Sequence, residues 1–390
     1  MRAMKGIQVP ERTEDFTADP VELFFDLAYV FAFSQLVGLL IDDHSWAAVG
    51  RVALLFGLLW LPWQQLTWSA NAVSGNGRPV RIIFLVATVV SVPMAASVTT
   101  AYDSGGVAFA IAMSLIMLLG FAIQNLSTES GTKYRRAVWL WMTPNLVAIV
   151  LLLLGSLAEG PARIWIWLAA AGVVLIAMLL AGQGDWLVRS GHMAERHGLV
   201  IIIALGEVIV AIGLPVVAAL QDGEGLSGAT IVALAASGLF AGLLWWAYFD
   251  RISPALEYGN TQVESDNERG RYTRDVYTWA HAPVVAGVIL SAAALEEIAL
   301  HPTDPVDSAF RLMLVGGLVL ILVGMAMAIW RAFRKVATER MVGAAAIAVA
   351  TAAGGALTGV VLLLIVVAIM AVTLAVEHVR VEPMMAATAD

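Results

Sequence analysis

Apolar runs of about 20 residues, separated by short polar segments, recur along the whole chain. They fall at 21-41, 47-68, 80-100, 106-126, 137-157 and 163-182, and resume at 198-220, 229-249, 276-300 and 308-330. Each suits a helix rising 1.5 Å per residue through a hydrocarbon core about 30 Å thick. The final run, Met341 to Val379, is too long for one crossing, and Gly354-Gly355 offers a turn that divides it. The first member of that pair is short and rich in alanine. The pattern therefore predicts an all-α polytopic integral membrane protein of about 12 transmembrane helices. Residues 1-20 precede them, 183-197 connect helices 6 and 7, and 380-390 form a tail.

Composition agrees with this reading. The 390 residues are 60% hydrophobic and 13% charged, with a mean hydropathy of +0.84; soluble domains carry about 25% charged residues. The longest polar run, Asp250 to Asp275, is too short to bury a core of its own. Cysteine is absent, which excludes disulfides, thiolate metal sites and a cysteine nucleophile. With twelve spans and a cytoplasmic N-terminus, only Arg51, Arg163 and Arg311 of the 22 basic residues fall outside. A bias this steep supports both the span count and the orientation, with both termini cytoplasmic. Phe56-Gly-Leu-Leu-Trp60 in helix 2 and Phe240-Ala-Gly-Leu-Leu-Trp245 in helix 8 hint at two parallel six-helix halves, 21-182 and 198-379.

Ionisable residues inside apolar runs are the candidate chemistry, because a charge in the bilayer is costly and marks a site by default. Glu207 lies about 13 to 15 Å into a helix entering near Gly198, close to mid-membrane. Its helical neighbours are apolar, so any partner comes from another helix. Glu22, Asp26 and Tyr29 share one face of helix 1. Two readings stand for Asp26: a cation or proton site, or an ion pair with an arginine at a neighbouring helix end. Glu22 reads as a first-turn cap. Glu195, Arg196 and His197 cluster at the entry of helix 7, either as first-turn residues with Arg196 paired to a headgroup phosphate or to Glu22, or as a histidine beside carboxylates that exchanges protons with the cytoplasm. His281 lies about 7 Å inside helix 9, near Pro283, which frees a backbone carbonyl. Trp245 to Arg251 reads as an aromatic belt with an ion pair, and Gln64, Gln65, Asn71, Gln124 and Asn145 as interhelical glue.

Several classes are set aside. No Gly-x-x-x-x-Gly-Lys-Ser/Thr loop is present, and neither His-Glu-x-x-His nor Gly-x-Ser-x-Gly occurs. His192 and His197 are spaced poorly for one metal on a helix. No cofactor or metal is expected.

Glu22-Leu-Phe-Phe-Asp26-Leu, Glu195-Arg196-His197-Gly198 leading to Leu205-Gly206-Glu207, Trp245-Trp246-x-Tyr248-Phe249, and Tyr277-x-x-x-His281-x-Pro283 leading to Gly287 occur in that order. In these motifs the chain resembles the bacterial low temperature requirement protein A family. The resemblance implies a multi-pass protein of the bacterial plasma membrane, connected with growth in the cold, and it supplies no reaction. Ala28-Tyr29 departs from the apolar pair usual there, and a phenol at that point would alter proton or ligand affinity.

The leading expectation is a secondary transporter or permease. In it Asp26 and Glu207 form one buried acidic site with Tyr29 and His281, while Glu22, Glu195, Arg196 and His197 form a cytoplasmic gate or ion-pair network. The alternatives are an integral-membrane enzyme using the same carboxylates on a lipid or apolar metabolite, and a non-catalytic stress-related membrane protein. The expected partners are the bilayer and a small solute or apolar metabolite, with no nucleic acid; a homo-oligomer is left open.

Overall fold

The computed structural model describes residues 17–73, 77–127, 133–181, 186, 188–223 and 225–386. The expected N-terminal segment lies almost wholly outside the described residues. The α-helices are α1 (Pro20–Asp42), α2 (Trp46–Asn71), α3 (Arg78–Ala96), α4 (Gly106–Ser127), α5 (Lys133–Leu157), α6 (Pro161–Ala181) and α7 (Ser190–Gln221). They continue as α8 (Gly228–Ala247), α9 (Ser253–Thr261), α10 (Asp266–Thr273), α11 (His281–Leu300), α12 (Ser308–Phe333), α13 (Thr338–Ala353) and α14 (Gly359–Ala386). Two π-helical turns, Tyr248–Ile252 and Arg274–Trp279, follow α8 and precede α11.

Local chemistry sets the helix starts. At α1, the Asp19 carboxylate accepts from Val21 N–H at 3.1 Å and Glu22 reaches back to Asp19 N–H at 3.1 Å, with Pro20 in the first turn. Ser45 caps α2 through Ala48 N–H at 3.2 Å. In the turn between α1 and α2, the hydroxyl and backbone N–H of Ser45 hold the Asp43 carboxyl below its ordinary range, and Arg51 at 2.7 Å adds to the effect.

The long helices run alternately between the face where α1 begins, termed proximal, and the opposite, distal face. Among the described residues, eleven helical segments are long and apolar enough to cross a membrane. The short member of the last pair is α13, whose 16 residues span about 24 Å. It nevertheless runs the same course as its neighbour. Arg340 near its start bonds the Ala247 carbonyl at 2.9 Å and Glu377 late in α14 at 3.0 Å. Its end caps at Gly354, beside the start of α14, where Gly359 N–H donates to Asp304 O at 2.8 Å. The turn expected at Gly354-Gly355 is therefore present.

Two boundaries differ from the sequence expectation. α7 starts at Ser190, so Glu195, Arg196 and His197 lie within its first turns instead of in a connecting loop ending at 197. Hydropathy undervalues those turns because their charges are compensated by α1, which a single-helix reading cannot register. The polar run Asp250 to Asp275 is likewise mostly helical, in the π turns, α9 and α10.

Packing partners partly recur between α1–α6 and α7–α14, although the contact of α2 on α4 has no comparable counterpart of α8 on α12. α1 packs on α2 and α3, α3 on α4, α4 on α5, α5 on α6, and α6 on α2. In step with these, α7 packs on α8 and α11, α11 on α12, α12 on α13, α13 on α14, and α14 on α8. The extensive contacts between the two sets come from α1 and α2 on one side and α7 and α11 on the other. Glycine allows the closest of the helix pairings. A Cβ on Gly287 of α11 would meet the backbone of Gly317 and Ile321 on α12, which cannot rotate away. Gly287→Ala is expected to cost about 1–3 kcal/mol by overpacking, read as a lowered thermal midpoint of the purified protein.

A buried charge network between α1 and α7

α1 and α7 run parallel, and each carries ionisable residues four apart. Glu22 and Asp26 on α1 face His192 and Arg196 on α7, and all four are 0% exposed. The Arg196 guanidinium binds Asp26 with two parallel bonds, Nη1 to Oδ2 at 2.7 Å and Nη2 to Oδ1 at 2.9 Å. Its Nε lies 3.4 Å from Glu22 Oε2, and His192 Nε2 lies 3.0 Å from the same oxygen. Trp63 of α2 donates its indole N–H to Asp26 Oδ1 at 2.8 Å and lays its ring 5.5 Å from the guanidinium carbon. The planar fork fits the carboxylate and the aromatic face together, which lysine could not reproduce.

The charges constrain the proton count. Two carboxylates face one guanidinium, and an unbalanced charge sealed from water is strongly unfavourable. The group is neutral when one proton resides on the His192–Glu22 pair. Glu22 is therefore both the first-turn cap and a member of the network, and the ion-pair reading of Asp26 has its arginine in Arg196. Glu195 stands apart: it is half-buried and accepts from Ala18 N–H at 2.6 Å, tying down the segment before α1.

A second, uncharged network lies alongside. Trp68 indole N–H, which can only donate, bonds Thr278 Oγ1 at 3.2 Å, and that hydroxyl donates to Gln64 Oε1 at 3.0 Å. Gln64 Nε2 then donates to His197 Nε2 at 2.9 Å, and His197 Nδ1 donates to Met193 O at 2.8 Å. The direction imposed by the indole makes His197 a neutral imidazole with its proton on Nδ1. His281 is fixed in the same form, since Nδ1 donates to Val276 O at 2.9 Å and Nε2 accepts from Tyr248 O–H at 2.7 Å. The two rings are 5.1 Å apart. Both π turns serve this arrangement, one carrying Tyr248 and the other the Val276 carbonyl. A cavity of about 40 Å³, with Gln64, Gln65, Gln124, Trp68, Thr278 and Arg274 in its wall, adjoins the relay and has room for water.

Tyr248→Phe leaves the buried acceptor of His281 without a donor. The expected cost is about 1–3 kcal/mol, read by thermal denaturation, with His281 proton NMR signals shifted in a sample labelled at histidine.

Glu207 does not join Asp26. It sits about 16 Å further along α7 than Arg196, so the two carboxylates are separate sites rather than one. The parallel course of α1 and α7 is the reason: with Asp26 level with Arg196, Glu207 comes level with residues near 37, and its side chain, tilted toward the helix N-terminus, reaches Ser34. One carboxylate oxygen accepts from Ser34, the other has no hydrogen-bond partner, and the side chain is 1% exposed. Tyr29 lies between the two levels, packed against Phe25 and Phe33 at 5.2 and 6.3 Å, its hydroxyl buried without a partner. Among the described residues no group of three histidine, aspartate or glutamate side chains is placed to hold a metal ion.

His192, Trp63, Thr278, Tyr248 and Ser34 escaped the sequence reading. His192 was legible, since it repeats the four-residue spacing of Glu22 and Asp26. Tyr248 was hidden inside an aromatic belt whose Trp245 and Trp246 do face outward.

Eleven long apolar segments around a seam of buried ion pairs define a multi-pass, all-α membrane protein. Residues 17–375 match the model of the bacterial low temperature requirement A protein, and the chain belongs to that family. It is also 28% identical over 332 residues to an uncharacterized protein of Rhizobium meliloti (strain 1021), covering 80% of this chain and 77% of that one. No solved structure matches the chain.

Proposed function

We propose that the protein is a proton-linked secondary transporter of the bacterial plasma membrane, with its proximal face in the cytoplasm. The observation that carries this reading is a cluster of buried ionisable groups in one seam, apart from the buried Arg340–Glu377 pair that joins α13 to α14. Glu22, Asp26, His192, Arg196 and Glu207 all lie on α1 and α7, where the two six-pass sets meet. In transporters built from repeats, the site lies at the interface between the repeats, and access alternates as one set rocks against the other. A purely structural ion pair would need no unpaired carboxylate deeper in the same seam, yet Glu207 is there. Among the described basic residues, only Arg51, Arg163 and Arg311 lie distally, which supports the orientation. Asp26, Tyr29, Glu207 and His281 are the proposed proton or substrate groups, and Glu22, Glu195, Arg196 and His197 the cytoplasmic gate.

A mixture of solutes tests this without singling one out in advance. Proteoliposomes holding the full chain are offered a bacterial metabolite extract under an imposed pH gradient, and their contents are read by mass spectrometry. The reading expects at least one solute to accumulate above protein-free vesicles. Accumulation of none would overturn it.

A further inference from the structure

The distal half of the seam has a chemistry of its own. Above the Arg196–Asp26 pair, at 1.5 Å per residue, Glu207 of α7 stands at about 16 Å, and Glu296 of α11 and Asp42 of α1 both stand at about 24 Å. The last two heights follow from His281, whose ring touches His197, and from Asp26 on the same helix as Asp42. Exposure rises from Glu207, which is buried, to Glu296, half-buried, and Asp42, exposed. Glu207 lies within electrostatic range of Glu296, and Glu296 within range of Asp42 and Glu297.

The elements packed on Glu207 offer it no cation. α1 supplies Ser34, α11 supplies Glu296, and α8 has no ionisable residue in its sequence. α2 has one ionisable side chain, Arg51, which is bound to Asp43 at 2.7 Å. The second oxygen of Glu207 therefore remains unpartnered, 1% exposed, at the inner end of a line of carboxylates. A metal lacks the ligands, as no group of three acidic or histidine side chains converges among the described residues. A proton needs one oxygen only.

We infer that Asp42, Glu296 and Glu207 form a distal proton entry path, with Glu207 as its inner, exchangeable site. The inference rests on the transport reading for its purpose, and it adds the proton as the ligand and the distal face as its source. A proton arriving on Asp42 passes to Glu296 and then to the free oxygen of Glu207, each acceptor becoming neutral as its donor regains its charge.

Infrared spectroscopy of the full chain in lipid nanodiscs, recorded after a rapid pH step, tests it, with Glu207→Gln assigning the carboxyl band. The expected band responds to the pH step, and in both Glu296→Gln and Asp42→Asn its response slows at least about tenfold. Elution as a single species by size exclusion establishes that each variant folds. A band that never responds, or one that responds at wild-type speed in both variants, overturns the path. Solute accumulation without a responsive band would sink this inference alone. A responsive band without accumulation would sink the transport reading alone.

Discussion

Arg196→Met is expected to be the most destabilising single substitution in the seam. It strands the Asp26 and Glu22 carboxylates, both 0% exposed, without the guanidinium that pairs with them. Removing one partner of a buried pair costs about 3–5 kcal/mol, because the remaining charge stays desolvated. Trp63 also loses the cation over its ring. The purified variant should melt far below wild type in a thermal scan and elute largely as aggregate. The mechanism makes a second demand. Adding Glu22→Gln and Asp26→Asn removes the stranded charges, so the triple variant should recover a substantial part of the lost midpoint. A triple variant no more stable than Arg196→Met would mean that packing, not charge, is what Arg196 provides.

Glu207→Gln should do the reverse, sparing the fold and abolishing function. Glutamine keeps the volume and retains a carbonyl oxygen for the Ser34 hydroxyl. The oxygen it replaces has no partner, so no existing hydrogen bond is broken. The thermal midpoint should therefore stay at or above that of wild type. Proton-driven solute accumulation should fall at least about a hundredfold, the loss expected when an obligatory proton carrier cannot titrate. A variant that loses stability while keeping uptake would assign Glu207 a structural role.

The fold was legible to a large extent because hydropathy acts on each helix separately. The eleven long spans were legible in the apolar runs, and Gly354-Gly355 marked the turn between α13 and α14. The pairing of sites was less legible, since it depends on register between helices distant in sequence. Asp26 and Glu207 both looked like inner carboxylates of one site. Only the level contact of Asp26 with Arg196 shows that Glu207 must lie about three turns away. The start of α7 was misplaced for a related reason. Glu195, Arg196 and His197 read as a solvated entry when taken alone, while α1 holds the charges that allow Arg196 to be buried and Gln64 of α2 bonds the buried His197. The roles of Tyr248 and Thr278 were beyond sequence spacing altogether, because π turns break the helical periodicity on which such readings depend.

The central claim is that protons moving through the α1–α7 seam drive a solute across the membrane. Its most direct measurement is accumulation of the extract-identified solute in proteoliposomes, with the pH gradient imposed, then collapsed by a protonophore. The account predicts accumulation that depends on the gradient, disappears with the protonophore and is absent from Glu207→Gln. Accumulation that persists undiminished after the gradient is collapsed, and equally in Glu207→Gln, would contradict it.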